Sequence, residues 1–180
     1  MLASTVSPVT IASGAHLMTP ELTLYSVSVP ADDLPEERLT DKHRRALTYW
    51  RAKCGPFGAP RRADIDPCDL GPVLPNIILW QIDSTIDYRC RLAGTEVCHN
   101  LIGNMQGILL GDLPCPLLPE TRREFDAARD GGLVTLAERT LNWLHRPLVY
   151  YRHLLLPLVD DTGRRHQLMS VLTFHRTEAH

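Results

Sequence analysis

A chain of 180 residues with 44% apolar side chains is long enough for one compact domain with tails, and it can bury a core. Its 19 basic and 21 acidic residues leave a formal charge of −2, so no strong field exists to hold a nucleic-acid backbone or an anionic membrane as the main partner. Cys54, Cys68, Cys90, Cys98 and Cys115 are odd in number and lack C-x-x-C spacing, which excludes a disulfide framework and a zinc ribbon and fits free thiols in a reducing cytoplasm.

The first residues, MLASTVSPVTIASGAHLM, have no basic start and no continuous apolar stretch, so a signal peptide is not expected. No apolar run reaches the length of a membrane-spanning helix. Residues 1–31 read as a flexible tail rich in Ser, Thr and Pro. Within it, Leu22, Leu24, Val27 and Val29 alternate in a way that offers an edge strand.

Residues 32–56 read as a flanking helix. Asp33 and Glu36 have the spacing of a capping box. Leu39, His43, Leu47 and Trp50 follow at helical spacing, and Cys54-Gly55-Pro56 ends the run. This stripe packs either on its own domain, the simpler reading, or on a partner as an interface.

Residues 57–180 read as the main domain. Asp66-Pro67 begins one helical turn, which Gly71-Pro72 stops. The run 76–82 is apolar and β-rich, 83–87 is a turn, and Tyr88, Cys90 and Leu92 alternate with Arg89 and Arg91, so the two runs form a hairpin. A short helix opens at Gly94-Thr95 and closes at Gly103. After a Gly- and Pro-rich loop, a second helix spans 120–130 and ends at Gly131-Gly132. Strands over 133–143, 149–159 and 167–175 complete the chain, the last two joined at Asp160-Asp161-Thr162-Gly163. The order predicts an α+β fold, with a five-stranded antiparallel sheet, short helices on one face and an N-terminal flanking helix.

Local phrases sharpen this order. Tyr49-Trp50 ends the first helix. Pro60-Arg61-Arg62-Ala63-Asp64-Ile65-Asp66-Pro67 and Leu74-Pro75-Asn76 follow, then Tyr88-Arg89-Cys90-Arg91-Leu92-Ala93-Gly94-Thr95, Gly107, and Tyr151-Arg152 before Leu154-Leu155-Leu156-Pro157-Leu158. Together they resemble a bacterial group of single-domain PAS-like proteins over residues 36–176. The resemblance implies a domain that senses a small ligand, redox state or light, or docks other proteins, and it implies no catalytic residue. With no output segment in the chain, the expected partner is a protein in trans or a second copy of the chain.

Nucleotide-binding glycine motifs are absent, as is G-x-S-x-G, and Ser170 lies in an apolar strand without flanking glycines. The eight His residues lack H-E-x-x-H spacing; His153 and His175 are the one pair considered as meeting across strands. Haem needs an axial ligand facing an apolar pocket, for which His99 and then Cys98 are the candidates. Cys90 lies between Arg89 and Arg91 but lacks the Asn of a flavin photosensor motif, and neither cofactor is expected. Adjacent acids at Asp32-Asp33, Glu36-Glu37 and Asp160-Asp161 read as caps and turns. Basic pairs at 44–45, 61–62, 122–123 and 164–165 have no interleaved aromatics and read as solvated faces.

A ligand pocket between sheet and helices would draw on Trp80, Tyr88, Cys90, Leu92, His99, Phe125 and Phe174. The alternative is a small α+β enzyme, a hydrolase or isomerase, with a titratable His or Asp in that pocket.

Overall fold

The computed structural model describes residues 23–83 and 87–176. Leu22, the rest of the tail before it, and positions 84–86 of the expected turn lie outside the described residues. Among the described residues six strands form one sheet: β1 (Thr23–Val29), β2 (Ile77–Ile82), β3 (Tyr88–Ala93), β4 (Val134–Leu141), β5 (Arg146–Val159) and β6 (Arg165–Arg176). They lie in the order β1-β4-β5-β6-β2-β3, and every neighbouring pair is antiparallel. The helices are α1 (Asp41–Lys53), α2 (Thr95–Asn100) and α3 (Leu118–Gly131).

The sheet has one strand more than the five expected. The extra strand is β1, which occupies the last residues of the stretch read as a tail and pairs along β4 from Thr23 to Val29. Its apolar members Val27 and Val29 are half-buried on one face of the sheet. On the opposite face Ser28 Oγ meets Thr135 Oγ1 at 2.7 Å.

Alternation along the strands divides the side chains between two faces. On the first face, Ile77, Leu136, Leu154, Leu156, Leu158, Met169 and Val171 pack against Leu39, Leu47 and Trp50 of the α1 region. On the second, Ile78, Trp80, Leu155, Leu168 and Leu172 pack under α2, α3 and the loop between them. The short helices expected on one face are there, and α1 covers the other.

The helix α1 starts later than the Asp33–Glu36 spacing predicts. Leu34 precedes Pro35, and a residue before proline is driven out of the helical region. The chain makes separate short turns at Ala31–Asp33 and Glu36–Arg38, and the true cap is Thr40, whose hydroxyl accepts from the His43 amide at 3.3 Å. Glu36 serves α1 in another way: its carboxylate accepts from Arg51 Nη1 at 2.5 Å and its carbonyl from Arg44 Nη1 at 2.8 Å.

Side chains complete the sheet where strands outrun their neighbours. The β4–β5 register ends at Thr135 opposite Leu155, so β5 has no β4 partner beyond it. There Trp50 Nε1 donates to the Pro157 carbonyl at 2.8 Å, and the Val159 amide donates to the Pro60 carbonyl at 3.0 Å. Proline is tolerated here because its missing N–H falls beyond the paired part of the strand on that side. The β2–β6 register ends at Ile77 opposite Val171. Beyond it, Asn76 Nδ2 donates to the Leu172 carbonyl at 2.7 Å, and His43 Nε2 donates to the Val171 carbonyl at 3.2 Å. The Asn76 amide oxygen in turn accepts from Lys42 of α1.

Two glycines are required by their surroundings. A Cβ on Gly94, between β3 and α2, would fall 2.3 Å from the Leu74 carbonyl oxygen. Gly132 ends α3 in the left-handed conformation at φ 67°.

Candidate functional site

The second face of the sheet carries a partly enclosed cavity of about 60 Å³. Its floor is built by inward-facing positions of the strands: Ile78 and Trp80 of β2, Arg139 of β4, Tyr151 and His153 of β5, and Ser170 and Leu172 of β6. Its roof is the loop from Leu101 to Cys115 and the inner face of α3, including Thr121 and Phe125, with Trp143 at one side.

Polar groups converge on the floor. Trp80 Nε1 donates to Ser170 Oγ at 3.0 Å, and that oxygen lies 2.8 Å from His153 Nε2. His153 is buried, and burial, reinforced by the positive charge of Arg139 and by His43, holds its pKa down to about 3. It is therefore neutral. Burial pushes the Tyr151 phenol up to about 12, against the opposing pull of the Arg139 charge.

Arg139 is 1% exposed. Its Nη2 donates to Glu124 Oε1 of α3 at 2.5 Å, and Ser26 of β1 donates to the same oxygen. The ion pair satisfies the burial of both charges and ties α3 to the sheet. Buried polar atoms without a partner remain: Arg139 Nε, Trp143 Nε1 and Glu124 Oε2. The first two belong to residues of the cavity wall.

Only two of the expected pocket residues lie on that wall, Trp80 and Phe125. Their rings meet edge to face with centroids 5.4 Å apart. Tyr88 and Cys90 are buried in the same core cluster but behind Phe125. The Tyr88 hydroxyl donates to Asp126 at 2.6 Å, and burial together with that carboxylate raises its pKa far above the usual phenol range. Burial pushes the Cys90 thiol up to about 11. Phe174 is half-buried and lies beside Tyr151 at 6.2 Å.

Leu92 and His99 are placed elsewhere. A bulge in the β2–β3 register between Leu79 and Trp80 turns Leu92 onto the first face, where it is 50% exposed and borders an open groove of about 550 Å³ with Leu79 and Met169. His99 is exposed on α2, and neighbouring Cys98 donates its thiol to the Ala93 carbonyl. Neither His99 nor Cys98 faces the cavity, and the cavity is several-fold smaller than the roughly 300–1,000 Å³ that larger ligands occupy. The residues present do not fit haem or flavin.

The stripe considered as an interface, Leu39, His43, Leu47 and Trp50, is turned inward, each residue at most 3% exposed. It forms core with the first face of the sheet, because the strands there present an unbroken apolar surface. His153 and His175 do not meet. Their registers, His153 opposite Leu172 and His175 opposite Tyr150, put them on opposite faces. Among the described residues no group of three or more His, Cys, Asp or Glu is arranged to hold a metal ion.

From sequence, Arg139 and Trp143 are not singled out, Tyr151 enters only within a family phrase, and Ser170 and His153 only as a nucleophile and a metal ligand. A usable signal existed: His153 and Ser170 are polar residues at inward positions of otherwise apolar strands.

A family model described as a PAS domain matches residues 40–173. The chain belongs to the PAS domain family. The match begins at Thr40, the N-cap of α1, and takes in the whole cavity while leaving β1 outside. No curated protein and no solved structure matches the chain. PAS domains have sensory or protein-interaction roles, and among the described residues no helix is long and apolar enough to cross a membrane.

Proposed function

We propose that this PAS domain is a sensory and adaptor module of cytoplasmic signalling that takes a small ligand in the cavity beneath α3 and acts on a protein partner in trans, a second copy of the chain included. The observation that carries this reading is the partly enclosed, mostly apolar cavity, two of whose lining residues, Arg139 and Trp143, each carry a buried N–H with no partner among the described residues. Such a site has the make-up of a small-molecule pocket.

The connection from cavity to outer surface is short. Ser170 and Leu172 line the cavity on β6, while the carbonyls of Val171 and Leu172 are held by His43 and Asn76 on the far side of the sheet. Displacing β6 by a fraction of an ångström therefore alters hydrogen bonds that seat α1. A ligand shifts that balance only as far as it binds one arrangement more tightly than the other.

The enzyme alternative has one observation behind it, the Ser170 hydroxyl beside His153. A histidine held near pKa 3 is a poor base at neutral pH. The Ser170 oxygen also already accepts from Trp80, which leaves the contact better suited to fixing the floor of the cavity.

Ligand-observed NMR with a fragment library tests the sensory reading. The expected result is a set of binders lost in Ile78→Phe, which fills the cavity, and binding that changes hydrogen exchange in α1 and β6. Binders indifferent to that substitution, or none, would refute it.

A further inference from the structure

We infer that the cavity selects a small uncharged molecule bearing one hydrogen-bond-accepting oxygen, such as a short alcohol, ketone or aldehyde. This rests on the reading of the cavity as a ligand site and adds the chemistry of the ligand.

Size sets the first limit. Roughly 10–15 Å³ of such space holds one water, so about 60 Å³ takes a molecule of roughly four non-hydrogen atoms.

Charge sets the second. Among the described residues Arg139 is the one charged residue on the wall, and Glu124 already balances it at 2.5 Å. His153 is neutral. An added anion would lie in an apolar enclosure beside a carboxylate, and an added cation would face Arg139; each carries a desolvation cost with no free counter-charge.

Hydrogen bonding sets the third. Two lining residues each carry a buried nitrogen with no partner among the described residues, Arg139 Nε and Trp143 Nε1, and both are donors. A buried donor left unmet carries its full desolvation penalty. One acceptor oxygen on the ligand relieves that cost, while the rest of the molecule meets Ile78, Leu110, Phe125 and Leu172.

The test uses four probes of nearly equal size: acetone, propan-2-ol, acetate and isobutane. Each is titrated into ¹⁵N-labelled protein while the Arg139 Nε–H and Trp143 Nε1–H resonances are followed. Acetone or propan-2-ol is expected to shift both resonances saturably, at least ten times more tightly than acetate or isobutane. Ile78→Phe should abolish the shifts, as should Leu113→Phe, placed on the half-buried roof in case the first variant misfolds. Acetate binding as well as acetone would overturn the uncharged class and leave the pocket standing. Equal binding of isobutane would overturn the role of the oxygen. If no probe moves either resonance, and a high-resolution crystal structure shows ordered water alone in the cavity, the ligand-site reading falls with the inference.

Discussion

His43 and His153 are buried imidazoles on opposite faces of one sheet, each kept neutral by its surroundings. The Val171 carbonyl can only accept, so His43 Nε2 carries the proton and Nδ1 is left bare and without a partner. Burial lowers the pKa of His43 to about 4 and that of His153 to about 3, against 6.5 for an unperturbed imidazole. Both are depressed, so the unfolded chain takes up protons first as pH falls. The stability present above pH 6.5 should therefore be lost progressively between pH 6.5 and about 3, with about 3 kcal/mol at stake for His43. Urea titrations at pH 7, 5 and 4 check this. His43→Met, which fills the site without a titrating nitrogen, should flatten the part of the loss between pH 6.5 and 4; an unchanged pH profile would refute the assignment. From sequence, His43 belongs to a stripe that packs either on its own domain or on a partner. Helical spacing shows that a side chain faces something, and only the sheet shows what.

The strand and helix order was readable because alternation and 3.6-residue spacing are local properties, and the runs around 77–82, 134–141, 146–159 and 165–176 express them strongly. Errors arose where two local signals competed. Asp33 and Glu36 have capping spacing, yet Pro35 prevents a helix from passing through Leu34, and Glu36 pairs with Arg51 instead. Thr40→Ala should then cost about 1 kcal/mol in chemical denaturation, while Asp33→Ala should cost only a few tenths. Equal losses would mean that the start of α1 is misplaced. The edge strand that Leu24, Val27 and Val29 offer in the sequence is β1, and it was legible only as an option because a short alternating segment becomes a strand only when an open edge, here that of β4, lies beside it. The cavity was less legible still. It depends on which side chains fail to fill the space beneath α3, and that is a property of packing across β2, β4, β5 and β6 together. Trp80 and Phe125 were found because large aromatic residues are strong candidates for any interior. Leu92 was misplaced because a single bulge reverses the face of every later residue in its strand.

The whole molecule is a sheet covered on both faces, so folding must seat α1 and α3 on two apolar surfaces of the same strands. Before α1 docks, the far half of β5, Leu154-Leu155-Leu156-Pro157-Leu158-Val159, has no β4 neighbour beyond Leu155 and exposes an uncharged run rich in leucine and valine. Six-residue segments of this kind stack between chains into cross-β aggregates unless something interrupts them. Pro157 is that interruption. Its ring denies an incoming strand a donor at the centre of the run, while the native fold loses little there because Trp50 needs only the carbonyl. Pro157→Leu should therefore keep a native circular dichroism spectrum and a denaturation midpoint near the parent's. Its yield on refolding from urea, followed by light scattering, should fall more steeply than the parent's as protein concentration rises. A concentration-independent yield equal to the parent's would show that the proline does not protect the chain while it folds.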